Sequence, residues 1–495
     1  MERRALALLA ALLCGALPAL AFPAPSWWWL AWVAVVPLML VVRAAPAGWQ
    51  GGARAWCGGG GFVLATQYWL LPSAGPLLAG MAAIIGVLWV PWGWATQRLL
   101  AGPVTRSRML AAALVLPSLW VLAEAARSWQ SLGGPWALLG ASQWNQPVTL
   151  ASASLGGVWL TSLLIAITNT AVCVAILHTS VRGRLAAVAL AVGCAAAGPA
   201  VFVWGPSPAA GPTVRVALVQ PGDIKASDAR RQQGELITEE LQDQHLDLVV
   251  WGESSVGVDL AGRPDILENL TELSRRLDAY LLVNVDARAP TGGIYKSSVL
   301  IDADGELGTY RKTRLVPFGE YVPLRQLLGP ISRHTKAAAE DRRRGSGPVV
   351  LHAGSLAVAP LISYEATFSD LPRRAVQQGA EMLTYQSSTS TFQGSWAQPQ
   401  LASQAAVHAV EVGRPAVQAA TSGVSSAFDC RGRRLAWASA DYRGAIVVDV
   451  PLATGTTVYQ RLGDWVLALT FSILLGAGVS AYRRRCRSNR ASADR

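Results

Sequence analysis

The sequence predicts a membrane α-helical bundle joined to a layered α/β domain, and three observations carry that prediction. Residues 1–204 are a near-continuous series of apolar runs with few charges. Residues 212–450 instead alternate short apolar runs with polar, charged helical patterns. One more apolar run, 465–481, precedes an arginine-rich end. With 52% hydrophobic and only 15% charged residues, the chain is too apolar for an ordinary soluble protein.

A hydrocarbon core about 30 Å thick is crossed by about 20 apolar helical residues. Runs of this kind lie at 5–21, 27–43, 56–73, 76–98, 109–126, 149–177, 184–204 and 463–482. They predict about eight transmembrane helices. Arginines mark alternate connections: Arg3 and Arg4, then Arg43 and Arg54, then Arg98, Arg106 and Arg108, then Arg182 and Arg184. The tail adds Arg483, Arg484, Arg485, Arg487 and Arg490, whereas the connections at 22–26 and 72–76 carry no charge. By the positive-inside rule the basic segments are cytoplasmic, so alternation puts 205–462 on the outer side and both termini inside. The net charge of +11 is thereby explained by loops beside spans, and nucleic-acid binding is not expected. Residues 1–21 also imitate a secretory signal, but cleavage there would leave the later domain on the same side. The six cysteines show no paired spacing, so neither a disulfide framework nor a metal site is expected.

The expected division is an N-terminal transmembrane domain of seven helices at 1–205, an α/β domain at 212–450, and a C-terminal transmembrane helix with a basic tail at 460–495. A Pro-, Gly- and Ala-rich stretch, 206–212, reads as the linker. VRVALVQ (214–220) is an apolar strand, 226–244 a polar helix and LDLVVW (246–251) a buried strand. A helix at 266–277 and a strand at 279–285 follow. Strands alternating with helices favour an α/β layered fold. Hairpin-like pieces come later, at 297–301 with a turn at Asp304–Gly305, and at 427–435 around Asp429. Cys430, in FDCRGRR, reads as a turn residue.

Three places in this domain can carry chemistry. Glu253, in VVWGESSV, directly follows a buried strand, where partial desolvation raises a carboxylate toward general-base values; a solvated strand-end glutamate is the plain alternative. Lys312, in TYRKTRLVPFGEYVP, is brought near Glu320 by a stiff Pro-Phe-Gly loop, which suits oxyanion stabilisation or an ordinary surface ion pair. Ser363, in VAPLISYEATF, ends a strand and suits a nucleophile or a buried structural serine.

Taken together, Glu, Lys and a small nucleophile on successive strand ends resemble the triad of the nitrilase superfamily. WGES, YRKTRLVPFGEYVP and LISYE resemble its three segments. WVLAEAARSWQSLGGPWALLGASQ (120–143), EVGRP (411–415), TSGVS (421–425) and RLGDW (461–465) extend the resemblance over the whole chain, to bacterial apolipoprotein N-acyltransferases. The resemblance implies an αββα sandwich for 212–450 on the extracytoplasmic side of the bacterial cytoplasmic membrane. It implies acyl transfer from a phospholipid to the N-terminal amine of a diacylglyceryl-modified lipoprotein, through an acyl-enzyme and without a cofactor. Glu253 would be the base, Lys312 with a backbone N–H near Tyr364 the oxyanion site and Ser363 the nucleophile. Glu320 would support Lys312, and Glu365 would shape the site. Trp27, Trp28 and Trp29 would sit at the membrane interface, among lipids.

The chain departs from the family's pattern at the nucleophile, where the family has cysteine. A serine hydroxyl is less ionised than a thiol, and its oxoester is less prone to attack by amines. Three accounts of Ser363 stay open: natural serine catalysis, a substituted site, or a non-catalytic lipoprotein-binding relative. A membrane-tethered nitrilase or amidase would share the triad but not the 120–143 segment. Other departures are Gly252 for Pro, Lys296 where Tyr-Asn-Ser is common, Ser387–Ser388–Thr389 for an Asn-rich loop, and no tryptophan at 225–230.

Overall fold

A computed structural model describes residues 2–288, 292–323, 325–328 and 342–493; side chains of 327–328, 484–485 and 487–493 lie outside the description. The N-terminal part is helical throughout. Helices long and apolar enough to cross a membrane cover Glu2–Ala21, Leu77–Leu100, Arg106–Arg127, Ala153–Leu177, Val181–Trp204 and Trp465–Arg483, six among the described residues. This departs from the eight expected. The run at 27–43 forms a shorter apolar helical stretch, Trp28–Arg43. The run at 56–73 lies mostly in the helix Gly48–Thr66, where Gln50, Arg54 and a row of four glycines dilute the apolar character. The glycines serve packing instead, since a Cβ on Gly61 would lie 2.1 Å from the Leu12 carbonyl oxygen. Leu6, Leu13, Ile84, Leu110, Leu185, Val192, Phe471 and Leu475 remain exposed on the long helices, as lipid-facing residues require.

Local chemistry sets the helix ends. Thr105 caps Arg106–Arg127 by accepting from the Arg108 N–H, and Ser180 caps Val181–Trp204 through the Gly183 N–H. Helix Ala153–Leu177 is broken at Gly157, whose φ of +67° suits glycine and whose missing Cβ makes room for the Tyr459 ring.

The α/β domain contains twelve described strands: β1 Ala209–Gln220, β2 Leu248–Trp251, β3 Tyr280–Arg288, β4 Ile294–Asp302, β5 Gly305–Arg311, β6 Leu351–Ala353, β7 Leu356–Ile362, β8 Met382–Ser387, β9 Ala416–Ala420, β10 Ser426–Phe428, β11 Arg434–Trp437 and β12 Gly444–Thr454. They form two six-stranded sheets, ordered β12-β1-β2-β3-β4-β5 and β11-β10-β9-β8-β7-β6. Each has parallel strands at its centre and antiparallel strands outside. β1 starts earlier than expected, because Ala209 and Ala210 pair with Thr454 and Ala453, so much of the 206–212 linker is strand.

The layers follow from which strand faces are apolar. Val216, Leu218, Leu248, Val250, Leu282, Val358, Met382 and Val417 fill the space between the sheets. Val249, Trp251, Leu281 and Val283 point the other way, under helices Ser227–Glu239 and Pro264–Leu277. Outside the second sheet, Leu361, Leu383 and Tyr385 join Leu401, Ala405 and Val407 of helix Ala397–Val412. This is the αββα sandwich. That last apolar layer runs on without a break into Trp120, Leu139, Val158 and Val466 of the helical bundle.

Polar contacts pin the junction. Gln400 binds the Pro23 and Thr66 carbonyls and accepts from the Trp69 indole. Glu411 accepts from the Val158 N–H at 2.7 Å, and Asp464 from the Trp159 indole at 3.1 Å. The EVGRP and RLGDW segments thus tie the sandwich to the broken helix.

Candidate active site

The site lies where the carboxyl ends of β2 and β7 face each other across the sandwich. β2 ends at Trp251, and Gly252 then passes so close to the second sheet that a Cβ would lie 2.0 Å from the Thr421 nitrogen. The backbone of Glu253 is pinned to that sheet: its N–H donates to the Ser387 carbonyl, and its own carbonyl accepts from the Thr421 hydroxyl. The residue is 5% exposed. Lys312 follows β5, and its N–H donates to the Lys296 carbonyl at 2.9 Å, which extends the β4–β5 pairing. Its Nζ lies 2.9 Å from Glu320 Oε1 and 3.5 Å from Glu253 Oε1. Glu320 keeps its second oxygen for the Val316 N–H, within the Pro-Phe-Gly loop.

Ser363 begins a short 3-10 turn, Ser363–Thr367, after β7. It is half-buried, with φ +52°. Ser254 and Phe318, also beside the site, share this left-handed backbone. For non-glycine residues that strain costs about 1–3 kcal/mol each and concentrates at functional sites. The Ser363 side chain comes near enough to Glu253 to help hold its carboxyl down. All three triad residues therefore meet, and Glu320, Tyr364 and Glu365 surround them.

Glu365 is fully buried and holds the turn in place. It accepts from the Ile362 N–H behind it and from the Tyr310 hydroxyl, the Thr313 N–H and hydroxyl, and the Arg314 N–H on the Lys312 segment. Burial nonetheless pushes its carboxyl above the usual range. Tyr364 reaches toward the bundle: its hydroxyl lies 3.4 Å from the Gln130 carbonyl, and its ring packs on Phe368. Gln130, within the 120–143 segment, in turn donates to the Leu315 carbonyl.

The electrostatics of Glu253 differ from the expectation. Burial does push its carboxyl up, but Lys296, Lys312 and the Ser363 hydroxyl outweigh that and hold it below its ordinary value. For Lys312 burial is outweighed the other way, and the Glu320 and Glu253 carboxylates keep its ammonium above the usual lysine range. Glu253 is therefore a carboxylate at neutral pH, and Lys312 is charged.

Three neighbours escaped the motif reading. Lys296, 7% exposed on β4, lies 3.2 Å from Glu253 and 3.3 Å from Asp286. Arg342 contacts Asp286 at 3.4 Å and Glu320 at 3.9 Å. Lys296 was visible only as a departure from the family pattern; Asp286 and Arg342 had no local signal. Cys430 lies in the turn between β10 and β11, away from the triad, and burial pushes its thiol up. Among the described residues no cluster of His, Cys, Asp and Glu could hold a metal ion.

A two-sheet sandwich that brings Glu253, Lys312 and Ser363 together at its strand ends has the form of a carbon-nitrogen-hydrolase domain, here built onto a membrane helical bundle. Family comparison gives both parts: the carbon-nitrogen hydrolase model matches residues 215–460, and the apolipoprotein N-acyltransferase N-terminal domain matches 14–171. An apolipoprotein N-acyltransferase of Pseudomonas syringae pv. tomato is 30% identical, over 96% of this chain and 97% of its own. One from Vibrio vulnificus is 26% identical, over 97% of each. Among solved structures, a branch 10 nitrilase-superfamily member from Saccharomyces cerevisiae covers 52% of this chain and 97% of its own, at 18% identity and a TM-score of 0.38. The chain belongs to the apolipoprotein N-acyltransferase family, a family of acyltransferases.

Proposed function

We propose that this chain moves a fatty acyl group from a phospholipid to the N-terminal amine of a diacylglyceryl-cysteine lipoprotein, at the outer face of the bacterial cytoplasmic membrane. The observation that carries the reading is the meeting of Glu253, Lys312 and Ser363 beside a continuous apolar junction with membrane helices. Ser363 Oγ attacks the ester carbonyl of the phospholipid while Glu253 takes the hydroxyl proton. The oxyanion forms beside the Lys312 ammonium and the Tyr364 backbone N–H. Its collapse breaks the ester bond, and the lysophospholipid leaves with the proton held by Glu253. In the second half the lipoprotein amine attacks the acyl-serine, Glu253 takes a proton from it, and Ser363 departs with that proton.

The arginine pattern of the connections supports the outer placement of 205–462. Exposed Trp27 and Trp29 suit an interfacial position. The test is acyl transfer from phospholipid to a diacylglyceryl-peptide in detergent, with intact-mass detection of the acyl-enzyme. Ser363→Ala abolishes both, and Ser363→Cys preserves or raises transfer. An Ala variant as active as the parent removes Ser363 from the mechanism. An inert parent with an active Cys variant makes the serine a disabling substitution.

A further inference from the structure

Six side chains, Glu253 among them, close a ring of alternating charge. Going round, Lys296 pairs with Glu253 at 3.2 Å, Glu253 with Lys312 at 3.5 Å, and Lys312 with Glu320 at 2.9 Å. Glu320 pairs with Arg342 at 3.9 Å, Arg342 with Asp286 at 3.4 Å, and Asp286 with Lys296 at 3.3 Å. Each carboxylate uses a single oxygen for both of its cations: Oε1 of Glu253, Oε1 of Glu320 and Oδ1 of Asp286. That leaves the second oxygen of Glu253 available to Ser363. With three cations and three anions the ring is neutral, and removing Lys296 leaves it with one net negative charge.

We propose that Lys296 is a positioning residue for acyl transfer: by pairing with both Glu253 and Asp286 it closes the ring and holds the Glu253 carboxylate charged and turned toward Ser363. The inference rests on the reading of Ser363 as nucleophile and Glu253 as base. Lys296 is placed for this by three elements. Its strand β4 pairs with β3, which puts it directly opposite Asp286. The turn after β2 supplies Glu253 and the Ser254 hydroxyl, a further partner of the ammonium. The segment after β5 supplies Lys312. Arg230, on helix Ser227–Glu239, donates to the Ser254 carbonyl at 2.8 Å and adds positive potential toward Asp286 and Glu253. Glu365 faces Lys312 from the second sheet.

The physical consequence has a sign. Lys296 favours the ionised form of Glu253, so without it Glu253 becomes a working base only at higher pH. Asp286 draws on the same ammonium, so without Asp286 more of its field falls on Glu253, and the base works at lower pH. General damage to the fold does not produce opposite shifts in two neighbouring variants.

The test uses the full chain in detergent with a fluorophosphonate probe. Ser363 Oγ forms a bond to phosphorus, fluoride leaves, and Glu253 takes the proton, so no lipoprotein acceptor is needed. The labelling rate is measured against pH for the parent, Lys296→Met, Lys296→Arg and Asp286→Asn. The proposal expects the acid limb to rise by about one pH unit or more in Lys296→Met, to stay near the parent in Lys296→Arg, and to fall in Asp286→Asn. An unshifted Lys296→Met profile overturns it. If Lys296→Met does not fold, Asp286→Asn decides, and an acid limb that is unmoved or raised overturns the proposal. A parent that labels normally while the variants fail to shift refutes the role of Lys296 alone. A parent that never labels refutes the nucleophile reading and takes this inference with it.

Discussion

Glu253 and Glu365 are both buried carboxyls beside Ser363, one presented by the first sheet and one by the second. Glu253 faces two lysines and lies below its ordinary pKa. Glu365 is hydrogen-bonded by neutral donors and feels Lys312 only from beyond ion-pair distance, and burial leaves it above its own. Burial is common to both, so burial does not decide the outcome. What differs is full positive charge at ion-pair distance, which outweighs desolvation where dipoles do not. The first sheet thus holds the site's ionised carboxylate, and the second holds its geometry.

The strongest way to break this contrast is Lys312→Met. It removes the proposed oxyanion cation and unbalances the ring, and acyl-enzyme formation should fall about 10²–10³-fold in a single-turnover mass assay. A loss below tenfold would show that Lys312 is only structural.

Stability against pH sharpens the comparison. A carboxyl depressed in the folded state, like Glu253, contributes stability that is present above its unfolded value and lost as pH falls through its folded value. A carboxyl raised in the folded state, like Glu365, contributes stability that is present below its unfolded value and lost as pH rises through its folded value. Glu253→Gln should therefore cost most at neutral pH, with the gap to the parent closing in acid. Glu365→Gln should cost about 1–3 kcal/mol through mismatched donors, with the gap widest in acid. Thermal unfolding at several pH values reads both; parallel curves would dissolve the distinction.

The smallest effect tests the tie between the bundle and the segment that follows β5 of the first sheet. Gln130→Ala loses the bond to the Leu315 carbonyl and should cost about 0.5–1.5 kcal/mol in thermal unfolding. Transfer by the folded fraction should stay close to the parent's.

Much of the molecule is local in origin and was legible for that reason. Apolar runs of bilayer length marked the long helices, and the alternation of strands with helices marked the layered domain. The triad was readable because each member sits within a compact motif at a strand end, as YRKTRLVPFGEYVP does for Lys312 and Glu320. At 56–73 the structure does not add a long apolar helix to the six, because the helix there carries Arg54 and small residues that serve helix contact. Tertiary structure alone decided the charge state of Glu253, because Lys296 comes to it through the pairing of β3 with β4, and Lys312 through the continuation of β5. It alone decided that Gln400, Glu411 and Asp464 are junction clasps. The reason is physical: hydropathy and turn chemistry act between near neighbours in the chain, whereas the field on a buried carboxyl comes from whatever the fold brings within ion-pair distance.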